Sequence, residues 1–260
     1  MQLDRNRIGT FFCFIGINKP FSSTMEKTRE KLALALDNVS SREEIEKLIK
    51  TTSEWIGVYK IGLEQFTRFG PSILELVRKQ DRRIFLDLKF HDIPNTVAKA
   101  VASACELGVH YMTVHTQGGV AMMQAAADAA SKTKSDICTK VVGVTLLTSI
   151  NANALAEELA VQMDSITYVR HLATLAIISR LNGIVCSAVD LVGMKDILPP
   201  HFEVITPGIR PSGSDAGDQA RIASPAEAIQ NGATLLVVGR PITAAKDPGE
   251  AAAQINREIC

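Results

Sequence analysis

"RIFLDLKFHDIPNTVAKAVASACELG", residues 83–108, is a strand followed by a helix. "RIFLDL" at 83–88 is a short apolar run of strand length, and "NTVAKAVASACELG" at 95–108 carries apolar residues at helical spacing and stops at Gly108, a C-terminal glycine. Between them stand Asp87, Lys89 and Asp92. Strand side chains alternate between faces, so Asp87 and Lys89 point the same way. Burying two such charges costs several kcal/mol unless they are paired or in use. A salt bridge capping the strand end is the plain reading, and charge gathered at the end of an apolar element also marks functional sites.

The same unit recurs along the chain. Strand-like runs bounded by polar or turn residues are "LALAL" 32–36, "GVYKI" 57–61, "RIFLDL" 83–88, "HYMTVH" 110–115, "KVVGVTLL" 140–147, "GIVCS" 183–187, "FEVIT" 202–206 and "TLLVVG" 234–239. Helical patterns separate most of them. Ser40/Ser41 with Glu43/Glu44 form a capping-box arrangement opening an amphipathic run to Trp55. "GGVAMMQAAADAA" at 118–130 and "PGEAAAQINREI" at 248–259 read as helices, and the longer stretch 152–180 reads as a helix broken in two. The first four strands start about 26 residues apart, one βα unit each. Eight such units predict an α/β fold, a (β/α)₈ TIM barrel of one domain over residues 31–260. A doubly wound open sheet is expected to show a Gly-rich fingerprint after its first strand, and "LALALDNVS" at 32–40 has none.

Residues 1–30 differ and are read as a poorly ordered N-terminal extension. "IGTFFCFIGI" at 8–17 is too short to span a bilayer, and "NKPFSST" at 18–24 offers no small-residue cleavage site. Met25 opens an ordinary domain start, so residues 1–24 are expected to be dispensable.

The chain has 260 residues, 46% hydrophobic and 22% charged, enough for a large core. Lys+Arg and Asp+Glu are both 28, and no basic stripe stands out, which argues against a nucleic-acid partner. The five cysteines are scattered, with no C-x-x-C pair, and imply a reducing, cytoplasmic setting without a disulfide framework or zinc site. No ligand spacing appears among the five histidines.

In such a barrel the chemistry sits at the C-terminal ends of the strands. Asp37 ends the first strand, Lys60 lies near the end of the second, and Asp87 and Lys89 end the third, with Asp92 in its loop. Thr148 follows the fifth strand, "TPGIRP" the seventh, and Gly239-Arg240 the eighth. Strand ends seven and eight are a common phosphate position. Gly239 permits close backbone approach there, and Arg240 carries a fork suited to phosphate oxygens. Arg210 and Gln219 flank "PSGSDAGD" at 211–218, a loop that reads as solvated filler or as a mobile lid over a phosphate. A divalent metal is the rival use for the acids, and Lys60 argues against it, because an ammonium competes for the same carboxylates.

Together, "LALALD", "YKIG", "FLDLKFHDIPNT", "LLTS", "TPGIRP", "DQAR" and "VVGRPIT", in that order over about residues 31–257, resemble the orotidine 5′-phosphate decarboxylase family. D-x-K-x-x-D alone is shared with a wider set of barrels, and "IPNT", "TPGIRP" and "VVGRPIT" make the likeness specific. The resemblance implies conversion of orotidine 5′-monophosphate to uridine 5′-monophosphate and CO₂, without metal or organic cofactor. It also implies that Lys89 protonates C6, that Asp87 faces the departing carboxylate, and that Asp37 and Lys60 hold the ribose. Thr148 is implied at the pyrimidine end, and Arg210, Gln219, Gly239 and Arg240 at the phosphate. Asp92 and Thr96 are implied to reach the site of a second subunit in a homodimer. Two alternatives stand beside this reading: a metal-dependent sugar-phosphate lyase of the same superfamily, whose members carry a carboxylate where this chain has Lys60, and a silent phosphate-binding barrel.

Overall fold

The structure, a computed structural model, describes residues 26–211 and 223–259. Eight parallel strands close into a barrel in sequence order. They are β1 (Leu32–Ala35), β2 (Val58–Gly62), β3 (Arg83–Phe90), β4 (Tyr111–His115), β5 (Lys140–Val144), β6 (Gly183–Val185), β7 (Glu203–Thr206) and β8 (Leu235–Val238), and β8 pairs back with β1. The (β/α)₈ barrel expected from the sequence is therefore the fold.

Helices wrap the outside. The principal ones are α1 (Arg42–Thr52), α2 (Leu63–Phe69), α3 (Leu74–Arg78), α4 (Pro94–Glu106), α5 (Gly119–Lys132), α6 (Ser165–Ile178), α7 (Ala188–Leu191), α8 (Pro225–Gln230), α9 (Arg240–Thr243) and α10 (Pro248–Glu258). The capping box opening α1 is the Ser41–Glu44 pair, and the helix stops at Thr52, short of Trp55. The stretch read as a broken helix is a π-helical turn, Ala154–Glu158, followed by α6. Strands β5 and β6 end earlier than their apolar runs. The residues after β5 line the barrel mouth, and Ser187 leaves β6 to cap α7 with its side chain.

Two apolar layers follow from strand alternation. Leu32, Leu34 and Leu36 of the first strand run, Tyr59 and Ile61 of β2, and Ile84 and Leu86 of β3 face outward and pack with the helices. Ala33, Ala35, Val58, Phe85, Tyr111, Val142, Ile205, Leu235 and Val237 fill the interior. Small alanines from β1 sit in the same cluster as the rings of Phe85 and Tyr111, which meet edge to face with centroids 5.9 Å apart.

The barrel floor starts ahead of the 30/31 boundary drawn from the sequence. Thr28 is buried and its Oγ1 lies 2.6 Å from Asn256 Oδ1, while the Gly57 N–H donates to the Arg29 carbonyl at 3.0 Å. Residues 1–25 lie outside the described residues. No described helix is long and apolar enough to cross a membrane.

Close backbone approach fixes Gly183, where a Cβ would stand 2.3 Å from the Glu203 carbonyl oxygen on β7. Gly183→Ala is expected to lower stability by about 1–3 kcal/mol, the usual cost of overpacking, read as a lower urea midpoint at unchanged slope.

Candidate active site

The parity that fills the barrel also builds its mouth. Along β2, Val58 points inward, so Lys60 does too; along β3, Phe85 is followed by Asp87; along β4, Tyr111 is followed by Thr113. Apolar residues occupy the lower inward positions, and polar ones occupy the positions nearer the C-terminal ends.

Lys60 Nζ lies 2.8 Å from Asp37 Oδ2 and 3.4 Å from Asp87 Oδ2. Lys89 Nζ donates to both oxygens of Asp87, at 2.9 and 2.8 Å. The four side chains thus form a chain of alternating charge, Asp37–Lys60–Asp87–Lys89, with Asp87 between two ammonium groups. Lys60 and Asp87 are buried. Burial works against the Lys60 ammonium, but Asp87 and Asp37 outweigh it and hold its pKa above the ordinary lysine value. Burial also works against the Asp87 carboxylate, but Lys60 and Lys89 outweigh it and hold it below the usual carboxylate range. Both groups are charged throughout the neutral range.

Lys89 does not sit in a regular strand. From Leu86 to Phe90, β3 advances four residues while its partner β4 advances two, from Met112 to Val114. This is a bulge, a device that re-aims side chains beside active sites. Lys89 has φ +50°, a left-handed conformation that costs a non-glycine residue about 1–3 kcal/mol. Its N–H donates to Thr113 Oγ1 at 2.8 Å, and Thr113 Oγ1 lies 3.0 Å from Asp87 Oδ1. His115 follows on β4, stacked on His91 with centroids 5.4 Å apart. Burial, His91 and Lys89 lower the His115 pKa below its usual value, which keeps it neutral near pH 7 and adds no cation beside Lys89.

A cavity of about 310 Å³ opens over this array. Asp37, Lys60, Lys89, Thr148, Arg210, Gly239 and Arg240 all line it, so seven residues singled out from scattered positions share one pocket. Arg210 is buried, and its Nη1 donates to the Ile209 carbonyl at 3.0 Å. Val144, Leu146 and Val185 supply an apolar wall. The arrangement is therefore polar and charged at the ends of β1–β3, apolar over β5–β6, and cationic at Arg210 and Arg240.

Two of the remaining expectations fall elsewhere. Asp92 and Thr96 are exposed on the loop after β3 and the first turn of α4, outside this cavity, and Asp92 Oδ1 accepts from the Ile93 N–H at 2.7 Å. Gln219 lies outside the described residues. Among those described, no three His, Cys, Asp or Glu side chains converge to hold a metal ion. Thr113 was missed by the sequence reading, although alternation from Tyr111 puts it on the inward face.

A model of the orotidine 5′-phosphate decarboxylase / HUMPS family matches residues 30–255. The chain belongs to this family. Its relatives include the orotidine 5′-phosphate decarboxylase of Moorella thermoacetica, 43% identical over 234 residues, covering 89% of this chain and 92% of the relative. Another is the enzyme of that name from an Escherichia coli O139:H28 strain, 40% identical over 238 residues, covering 92% of this chain and 96% of the relative. Among solved structures, the orotidine 5′-phosphate decarboxylase of Lactobacillus acidophilus superposes with a TM-score of 0.77 at 32% identity, covering 88% of this chain and 98% of that one. The family match spans the whole described barrel from β1 to β8.

Gly62 lies against the array of this family member. A Cβ there would stand 2.6 Å from Asp37 Oδ1 and 3.2 Å from Lys60 Nζ. Both are side-chain ends that can move, so Gly62→Ala is expected to displace Asp37 and Lys60 rather than unfold the barrel. Misplacing a positioning group by about 1 Å can cost about a hundredfold, so turnover is expected to fall at least tenfold while the melting temperature changes little. Steady-state kinetics and a thermal melt check both halves.

Proposed function

We propose that this chain decarboxylates orotidine 5′-monophosphate, releasing CO₂ and leaving uridine 5′-monophosphate, the last step of de novo uridylate synthesis, without a cofactor. The observation that carries the reading is the placement of Asp87 between Lys60 and Lys89 at the mouth of the barrel. The family and the named relatives support the same reaction.

As the C6–CO₂ bond breaks, its electron pair stays on C6 in the plane of the pyrimidine ring, where no conjugated acceptor takes it. Stabilisation must come from fixed charges that act as the carbanion develops. In this reading Lys89 Nζ is that charge and gives its proton to C6, leaving uridine 5′-monophosphate and a neutral amine that water reprotonates. Asp87 keeps Lys89 charged and aimed, and faces the departing carboxylate. Asp37 and Lys60 meet the ribose hydroxyls, Thr148 and the apolar wall meet the pyrimidine, and Arg210, Gln219, Gly239 and Arg240 serve the phosphate. Holding the phosphate far from C6 lets the non-reacting end of the substrate contribute to orientation and to water exclusion.

A metal-dependent use of the pocket is disfavoured by the pairing itself. A cation at Asp37 would have to displace Lys60 Nζ from 2.8 Å, and one at Asp87 would meet two ammonium groups. Asp92 and Thr96, exposed beside Ile93 on one edge of the barrel mouth, are assigned to the site of a second subunit, which makes the working form a homodimer with two shared sites. A reducing cytoplasmic location fits Cys105, Cys138 and Cys186, which are free thiols.

Purified protein with excess chelator is expected to consume orotidine 5′-monophosphate, followed by loss of orotate absorbance, with uridine 5′-monophosphate as product. A flat trace from folded protein, with turnover of a sugar phosphate restored by magnesium, would move the chain to the metal-dependent branch. Lys89→Ala is expected to lower kcat by at least 10²–10³ with its circular dichroism unchanged, since one preorganised electrostatic donor has that worth. Residual activity within tenfold of wild type would contradict the role. For the shared site, mixing Asp92→Ala with Lys89→Ala chains is expected to restore part of the lost activity, because half of the exchanged dimers carry one intact site. No recovery after subunit exchange verified by mass would refute that arrangement.

A further inference from the structure

We propose that Thr113 is a positioning residue for this reaction, its hydroxyl tying the backbone of Lys89 to the carboxylate of Asp87. The inference rests on the decarboxylase reading given above. Thr113 is fully buried on the inward face of β4. Its hydroxyl has one hydrogen and free lone pairs, and both are used. Oγ1 accepts the Lys89 N–H at 2.8 Å and donates to Asp87 Oδ1 at 3.0 Å.

Each of these bonds answers a local need. At the bulge the regular pairing of β3 with β4 is interrupted, and the Lys89 N–H turns to a side chain. The same residue is held at φ +50°, which persists only where the surroundings over-determine it. Asp87 can rotate about its terminal torsion, and the Thr113 hydroxyl fixes the plane of its carboxylate. One hydroxyl therefore sets the position of the proton donor's backbone and the orientation of the acid beside it. Thr113 is fully buried and its hydroxyl is taken up by Lys89 and Asp87, so it acts through them and not on substrate.

The effect belongs in kcat. Substrate affinity draws on the ribose and phosphate contacts around Asp37, Arg210 and Arg240, which Thr113 does not touch. Thr113→Val keeps the shape and removes the hydroxyl, while Thr113→Ser keeps the hydroxyl and removes the methyl. Assayed on orotidine 5′-monophosphate, Thr113→Val is expected to lose about 10–100-fold in kcat with KM changed less than threefold, and Thr113→Ser to stay within about threefold of wild type. Should Thr113→Val fail to fold, Thr113→Ala replaces it: Ala and Ser both lack the methyl and differ by the hydroxyl alone, so the inference requires Ala to fall and Ser to hold. A kcat for Thr113→Val within threefold of wild type, equal losses in the variants with and without the hydroxyl, or a loss confined to KM would each overturn it. An inactive wild-type chain would remove the decarboxylase reading and this inference with it. An active wild type with an unimpaired Thr113→Val would overturn the inference alone.

Discussion

The charged array depends on one carboxylate serving two ammonium groups. Asp87 is buried, and a lone buried carboxylate would take up a proton rather than stay ionised. Lys60 and Lys89 keep it charged, and it in turn keeps both lysines aimed from neighbouring strands. Removing Lys60 or Asp87, the two buried members, breaks a buried pair, a larger penalty than losing an exposed salt bridge. The array is therefore a unit in which each charge depends on its neighbours. That interdependence explains why Gly62, with no side chain, borders it so closely.

The barrel supplies what the array requires. Five polar groups, Asp37, Lys60, Asp87, Lys89 and Thr113, must meet within hydrogen-bond distance while arriving from the ends of β1, β2 and β3 and from β4. Parallel strands in closed sequence order bring those ends into register: Ala35 pairs with Lys60, and Gly62 pairs with Asp87. The bulge in β3 then departs from that regularity at Lys89, the residue with the left-handed backbone. A regular scaffold and one local irregularity divide the work of placing the Lys89 ammonium.

Much of this was legible in the residues. The spacing of the strands, the charges at their ends and the absence of a Gly-rich fingerprint were enough for the barrel, because inward and outward positions alternate and eight repeats leave few other closures. Asp37, Lys60 and Lys89 could be expected to meet because each ends a strand. Two things were not legible. The bulge is a tertiary feature: nothing in "FLDLKF" states that β3 runs two residues longer than β4 there, so simple alternation found the Asp87–Lys89 pair without the left-handed turn that aims it. Thr113 was hidden for another reason. A threonine inside "HYMTVH" is an ordinary strand former, and only the hydrogen bonds from β3 distinguish it from a packing residue. The early boundary of the barrel escaped notice because Thr28 precedes β1, and its partner Asn256 lies on the last helix, at the other end of the chain.

The pairing of β1 with β8 has a consequence for how the molecule comes into being. A chain made from its N-terminus presents β1, β2 and β3, and with them all four charged groups, long before Leu235–Val238 exists to close the sheet. Until then β1 is an unpaired edge, open to pairing with other chains, and Asp37 and Lys60 stand in a half-built wall. Closure needs contacts between residues some two hundred positions apart, which slows folding. The final strand to emerge carries the lead-in to Gly239 and Arg240, so the same event that seals the edge also completes the pocket. Closure of the sheet and completion of the pocket therefore wait on the same strand.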